Sequence, residues 1–262
     1  MELSFYKYQG TGNDFVMVDN RSQVLSKNNT NLIKQLCDRK FGIGADGLIL
    51  LENSEVPTDD FKMVYFNADG RESSMCGNGG RCIVAFAHFL DIINEKAVFT
   101  AIDGVHEAVL QNELVGLKMS DVERIEEKPE AVFLNTGSPH HVIFTKDVDG
   151  TDVEKEGAAI RNSENYKSIN GTNVNFVEYL DEATFKVRTF ERGVEAETLS
   201  CGTGVTAVAL AAYATGKASE KTIHLQTPGG QLAVSFEPGE NGFQNIWLTG
   251  PAKMVFKGSI SC

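Results

Sequence analysis

Ser74-Met75-Cys76-Gly77-Asn78-Gly79-Gly80-Arg81-Cys82, continuing into Ile83-Val84-Ala85-Phe86-Ala87-His88-Phe89-Leu90, decides how the rest of this 262-residue chain is read. A cysteine stands where a loop turns into an apolar helix, and the small residues after it let a ligand touch the backbone. The same device returns at Ser200-Cys201-Gly202-Thr203-Gly204, followed by Val205-Thr206-Ala207-Val208-Ala209-Leu210-Ala211-Ala212. The first turn of a helix leaves backbone N–H groups over, and the macrodipole adds about half a positive charge there. That corner attracts a carboxylate or phosphate, and it lowers a thiol's pKa from its reference of about 8.5. One Cys-Gly-x-Gly is a weak signal, because a buried cysteine beside a packing glycine explains most single cases. Two copies, each opening an apolar helix, point to two thiols facing one small anionic substrate.

The two copies belong to a longer repeat. Thr11-Gly12-Asn13-Asp14 and its flanking strands are echoed by Thr136-Gly137-Ser138-Pro139-His140, and Gly12 to Gly137 spans the same 125 positions as Cys76 to Cys201. Gly171-Thr172-Asn173-Val174-Asn175 falls near the counterpart of Ala45 to Glu52, and Thr227-Pro228-Gly229-Gly230 near that of Thr100 to Gly104. A period this long is not a solenoid. It predicts two homologous halves related by an approximate two-fold axis. Strands are expected at Phe5–Tyr8, Phe15–Asp19, Leu48–Leu51 and Phe61–Phe66, and a helix capped by Asn29 or Thr30 through Cys37. The first Cys-Gly helix is expected to end near Asn94, strands to follow from Ala97 to about Met119, and the charged stretch Val122 to Pro129 to serve as a solvated linker.

Composition narrows the class. At 42% hydrophobic and 23% charged residues the chain is an ordinary globular protein, large enough for one big domain or two halves. A net charge of −12 argues against nucleic-acid binding, and it leaves an anionic substrate to be held by local dipoles and a few side chains. Five cysteines with no Cys-x-x-Cys support neither a disulfide framework nor a structural zinc site, and no metal is expected. The start lacks the layout of a secretory signal, and Val205 to Ala214 is far short of the roughly 20 apolar residues that span a bilayer. The expected setting is the reducing cytoplasm, with no membrane partner. Cys37 and Cys82 read as helix packing residues, Cys262 as an exposed thiol, and His88, His106 and His224 as structural.

A carboxylate seated between two helix starts would have its α-carbon flanked by sulfur on both faces. Removing a proton from one face and returning one to the other inverts that centre, which is racemisation or epimerisation by two bases. The α-proton is very weakly acidic, so donors aimed at the carboxylate must stabilise the developing charge. One sulfur must be thiolate and the other thiol. No lysine stands in an evident pyridoxal-phosphate setting, so no cofactor is expected.

Thr11-Gly12-Asn13-Asp14-Phe15, Phe41-Gly42-Ile43-Gly44-Ala45-Asp46, Phe66-Asn67-Ala68-Asp69-Gly70, Met75-Cys76-Gly77-Asn78-Gly79, Glu191-Arg192-Gly193 and Ser200-Cys201-Gly202-Thr203-Gly204 strongly resemble the diaminopimelate epimerases, in order and over essentially the whole chain. The resemblance implies a cofactor-independent isomerase that interconverts LL- and meso-diaminopimelate in lysine and peptidoglycan synthesis, and a possible homodimer. It implies an α+β fold of two pseudo-symmetric lobes, each a curved mixed sheet around a central helix: residues 1–122, with 251–262 packing back, and 123–250, the active site lying in the cleft between them. Carried over position by position, Cys76 and Cys201 are the proton-transferring pair, and Gly77, Asn78, Gly202 and Thr203 supply donors to the reacting carboxylate. Arg192 forms a forked pair with the distal carboxylate, while Asn13, Asn67 and Asn173 read the distal groups. Glu191 and His140 support the chemistry. The chain departs from the family pattern at Gly47, where a substrate-contacting glutamine is often found, and at Ser138, where an asparagine is. It also has one extra residue between Gly193 and Ser200. The rival readings are a proline or hydroxyproline racemase, whose substrate has no second charged end for Arg192, and a thiol redox module without enzyme activity.

Overall fold

The computed structural model describes residues 2–240 and 242–262, and it divides into two compact units: the chain up to Leu117 together with Gly250–Cys262, and Lys118–Thr249. In the first, β1 (Glu2–Gly10) and β2 (Asn13–Asp19) form a hairpin, followed by α1 (Thr30–Cys37), β3 (Gly47–Glu52), β4 (Phe61–Asn67), α2 (Gly77–Phe89), β5 (Lys96–Ala101), β6 (Gly104–Gln111) and β7 (Leu114–Lys118). The second holds β8 (Ile125–Lys128), β9 (Ala131–Asn135), β10 (Pro139–Thr145), α3 (Val153–Arg161), β11 (Asn173–Asp181), β12 (Thr184–Glu191), β13 (Ala196–Thr198), α4 (Gly202–Ala214), β14 (Thr222–Thr227), β15 (Gly230–Gly239) and β16 (Gly242–Pro251). The last strand, β17 (Lys253–Ser261), pairs antiparallel with β1 and so returns to the first unit.

Each unit repeats one topology. In the first, the order β17-β1-β2-β3-β4-β5-β6-β7 is antiparallel except at β2–β3 and β4–β5, which are parallel. In the second, β8-β9-β10-β11-β12-β14-β15-β16 is antiparallel except at β10–β11 and β12–β14. The parallel steps are the ones that need a crossover. α2 and α4 each supply the second crossover of their unit, and both are 13 residues long and begin one residue after their cysteine.

The sheets wrap these two helices because the helices have no polar face. Ten of the thirteen residues of α4 are buried, and a helix apolar all round must lie inside a core. It packs on β9, β10, β11, β12, β14 and β15, while α2 packs on β1, β2, β3, β6 and β17. The other face of each sheet is closed by a shorter amphipathic helix. α1, capped by Asn29 Oδ1 accepting from Leu32 N at 3.2 Å, lays Ile33 and Leu36 among Val16, Leu48, Leu50 and Val64. α3 lays Val153 against Val174, Phe176 and Phe190.

Two of the expected elements are corrected. α2 stops at Phe89 instead of near Asn94, because Asp91 turns to φ +57° and Ile92 N reaches back to Ala87 O. The strands expected from Ala97 to about Met119 are present as β5, β6 and β7, joined by two tight turns. The acidic linker contains a strand: β8 pairs with β9, and Lys128 lies 4.8 Å over the Tyr166 ring and 5.1 Å over that of Phe133. Backbone bonds from Met119 to Ile246 and from Val122 to Phe243 tie residues 118–122 into the second unit, so the contact boundary precedes the one expected from the sequence.

Candidate active site

In the first unit Cys76 is the N-cap of α2, with the extended backbone usual at that position (φ −95°, ψ 132°). Its Sγ donates to Asn13 Oδ1 at 3.5 Å, and Asn78 Nδ2 donates to the same oxygen at 3.4 Å. The orientation of the Asn13 amide follows from its other end, because Asn13 Nδ2 donates to Asp46 Oδ2 at 2.6 Å. Asp46 is in turn held by Arg39 at 2.7 Å, and Arg39 also grips Asp14, which Lys7 reaches at 2.7 Å. Although burial alone would raise the Asp14 carboxyl, Arg39 and Lys7 pull it well below the usual carboxylate range. This charged lattice braces the loop end of β2 and β3, where Asn13 stands. Gly47 opposes Asn67 across β3 and β4, and a Cβ at Gly47 would come within 2.5 Å of both the Tyr65 ring and the Phe66 carbonyl, so only glycine fits beneath that ring.

In the second unit Cys201 caps α4 in the same way (φ −115°, ψ 113°) and is 7% exposed. Its Sγ lies 3.5 Å from Thr203 Oγ1, which is 2.9 Å from His140 Nε2. Asn175 Nδ2 donates to His140 Nδ1 at 3.1 Å, so the ring proton resides on Nε2 and faces the threonine. Thr189 Oγ1 donates to Asn175 Oδ1 at 3.0 Å and holds that amide in place. A Cβ at Gly204 would fall 2.6 Å from Asn175 Oδ1, so the glycine lets α4 approach this chain of groups. Thr203 Oγ1 thus stands between His140 Nε2 and the Cys201 sulfur.

Asn173 and Arg192 form a second cluster of the same unit. Asn173 Nδ2 donates to Ser138 Oγ at 2.9 Å and to Pro139 O at 3.0 Å, while Asn173 Oδ1 accepts from Arg192 N at 2.8 Å. The Arg192 guanidinium reaches Ile169 O at 3.2 Å and Ser138 Oγ at 3.5 Å. The acids of the longer loop are engaged elsewhere, Glu195 with Arg161 and Glu197 with Arg188, so among the described residues Arg192 has no carboxylate in ion-pair range. Glu191, next to it, accepts from Thr198 Oγ1 at 3.0 Å, and burial raises its carboxyl above the ordinary value.

The sequence reading named Cys76, Gly77, Asn78 and Asn13, which converge in the first unit with Gly47 and Asn67 on adjoining strand ends. It also named Cys201, Gly202, Thr203, His140, Ser138, Asn173 and Arg192, which converge in the second. It missed Asp46 and Asn175, which orient Asn13 and His140. A signal for Asn175 was present, since Asn173 and Asn175 share a strand face at a spacing of two. Of the other histidines, His88 Nδ1 lies 3.3 Å from Ile93 O, and His106 Nε2 lies 3.1 Å from Asp103. Cys37 and Cys82 are buried, which pushes both thiols up to about 12. Among the described residues no cluster of three His, Cys, Asp or Glu could hold a metal ion.

Burial, joined by the charge of Arg192, pushes His140 down to about 3, and burial with Lys128 pushes His141 down to about 4. Both rings are neutral in the fold but take up a proton near pH 6.5 in the unfolded chain. The unfolded state then binds more protons, so stability is full above about pH 6.5 and falls as pH drops toward the folded values, by up to about 1.4 kcal/mol per unit for His140 and less for the partly exposed His141. The urea midpoint is expected to drop between pH 7 and 5, and the drop to shrink in His140→Gln. A midpoint flat over that range would contradict the neutral buried ring.

Superposition on solved structures identifies the class. The chain shares the fold of a phenazine biosynthesis protein of the PhzF family from Bacillus anthracis (TM-score 0.78, 14% identity, all of both chains) and of a hydroxyproline epimerase from Agrobacterium vitis (TM-score 0.71, 12% identity, 99% of this chain and 92% of that one). This is the two-lobed α+β fold with a helix at the heart of each sheet. Within it, the diaminopimelate epimerase family profile matches residues 5–118 and 132–255, one segment for each half of the repeat. A diaminopimelate epimerase from Flavobacterium psychrophilum is 55% identical over 98% of this chain and all of its own length, and one from Aquifex aeolicus is 40% identical over 99% and 98%. The chain belongs to the diaminopimelate epimerase family and is an isomerase.

Proposed function

We propose that this enzyme interconverts LL- and meso-diaminopimelate, with Cys76 and Cys201 serving the two faces of one α-carbon. The observation that carries the reading is the doubled helix start: two cysteines, 125 positions apart, each the N-cap of a matching helix whose first amides follow it directly. The first-turn amides of α2 and α4, at Gly77, Asn78, Gly202 and Thr203, receive the reacting carboxylate and stabilise the enediolate that forms when the proton leaves. A thiolate on one side removes the proton and a thiol on the other returns one, so the products of one direction are the reactants of the next. Thr203, backed by neutral His140, supports the Cys201 sulfur, and Glu191, with its raised carboxyl, supplies a group able to exchange protons nearer neutrality.

The distal end selects the substrate. Arg192, with no acidic partner among the described residues, fits the second carboxylate, with Ser138, Asn173, Asn13, Gly47 and Asn67 around the distal groups. Proline has no such end, and a site built for hydrogen bonds rejects a molecule that lacks them. The reading places the enzyme in the cytoplasm, in lysine and peptidoglycan-precursor synthesis, and as a homodimer. The exposed apolar side chains Met254, Val255 and Phe256 of β17 favour the last of these. No helix among the described residues is long and apolar enough to cross a membrane.

Incubation with LL-diaminopimelate in deuterated water is expected to yield meso product carrying one deuterium at the inverted centre, with proline unchanged in parallel. Proline exchanging instead would replace this reading by the racemase, and no exchange in either would leave a non-enzymatic thiol module.

A further inference from the structure

Arg81, in the second turn of α2, is fully buried, yet among the described residues no carboxylate lies in ion-pair range of it, and its Nε has no hydrogen-bond partner. Its guanidinium runs back toward the helix start. Nη2 donates to Asn78 Oδ1 at 2.8 Å and to Thr11 Oγ1 at 3.1 Å, and Nη1 lies 3.4 Å from Gly77 O. Every acceptor is neutral. Guanidinium stays protonated even under such desolvation, so the protein keeps an uncompensated buried cation, which is costly unless an anion completes it.

The helix itself does not require this charge. The position equivalent to Arg81, 125 residues later, is Thr206, whose hydroxyl donates to Gly202 O at 2.9 Å. The two halves of the repeat are alike in topology and in the placing of their cysteines, and they differ in charge at this one turn. By occupying Asn78 Oδ1, Arg81 also decides which end of that amide faces the site, since Asn78 is left with Nδ2 toward Asn13 Oδ1 beside the sulfur. The Asn13 oxygen by itself favours a protonated thiol at Cys76. A positive charge behind the helix start offsets that preference.

We propose that Arg81 is a positioning residue for Cys76, locking the Asn78 amide and supplying the buried positive charge that favours the Cys76 thiolate and makes the two cysteines unequal. The chemical partner of this charge is an anion at the start of α2, the thiolate in the resting enzyme. The titratable groups packed around it are Cys82 of α2, kept neutral by burial and faced by Tyr8 of β1, and the lattice of Asp14, Lys7 and Arg39 with Asp46, which reaches the thiol through Asn13. Arg81 is the cation that the buried groups of α2 face.

The proposal rests on the assignment of Cys76 as one of the two bases, and its test uses no substrate, so a failed turnover assay and a failed charge argument are told apart. The full-length enzyme is alkylated with iodoacetamide across a pH series, and the rate at the Cys76 peptide is followed by mass spectrometry, with the Cys262 peptide as internal reference. In Arg81→Met the Cys76 midpoint is expected to rise by about 1 pH unit or more while that of Cys262 stays in place. In Arg81→Lys, which keeps the charge without the planar fork, it should stay within about 0.5 unit of the parent. A Cys76 midpoint in Arg81→Met that moves no further than that of Cys262, or an equal rise in the lysine variant, would overturn the proposal. Should the methionine variant not fold, Arg81→Gln makes the same comparison while retaining N–H donors for Asn78 and Thr11.

Discussion

Cys76→Ala and Cys201→Ala are each expected to lower the turnover of LL-diaminopimelate by roughly 10²- to 10⁴-fold, the range a positioned acid or base contributes. The barrier argument is direct. A proton next to a carboxylate leaves only if a base waits on its face, and inversion is complete only if an acid waits on the other. With either sulfur gone, one of these steps falls to water or to a distant group. The two losses should not add in the double variant, because the thiols act as one unit. Neither change threatens the fold, since each sulfur stands at a helix start and outside the apolar clusters that hold the sheets. Thermal midpoints within a few degrees of the parent are the control. A single variant with normal turnover would end the two-base reading. Loss of turnover with an equal loss of folded protein would instead make the cysteine structural.

Arg192→Ala carries the second-largest expected effect, at the level of substrate recognition. A charge-assisted hydrogen bond contributes about 1.5–3 kcal/mol, so removing the guanidinium is expected to lower kcat/KM for diaminopimelate by roughly 10- to 150-fold. Most of the change should appear in KM if the distal carboxylate is held equally in the ground and transition states. Arg192→Lys should recover part of the loss, keeping the charge but not the fork. The main-chain N–H of residue 192 that bonds Asn173 Oδ1 survives both substitutions, so the neighbouring amide is left in place. An unchanged KM in Arg192→Ala would remove the distal carboxylate from this part of the molecule.

Much of the architecture was legible in the chain because its signals are local and doubled. The apolar runs after Cys76 and Cys201, the Asn29 cap and the alternation of Phe61–Phe66 each depend on residues a few positions apart. The equal spacing of the repeat anchors turned two local patterns into a statement about the whole. Where the reading failed, a tertiary term outweighed a local one. Glu126 and Glu127 look like solvated linker, yet β8 exists because β9 offers it an open edge and Lys128 finds two aromatic faces. Asp91 ended α2 early through a left-handed residue that helix propensity does not forbid strongly.

By itself the sequence determined the repeat, the two helix starts with their cysteines, and the residue types able to bind a doubly charged amino acid, since chemical identity and spacing are properties of the chain. Only the tertiary structure decided which atoms face which: that Asp46 turns the Asn13 carbonyl toward Cys76, that Asn175 puts the His140 proton on the Thr203 side, and that Arg81 is buried with no counter-charge among the described residues while its counterpart Thr206 is neutral. Hydrogen-bond direction and desolvation depend on neighbours dozens of positions away, and no local pattern encodes them.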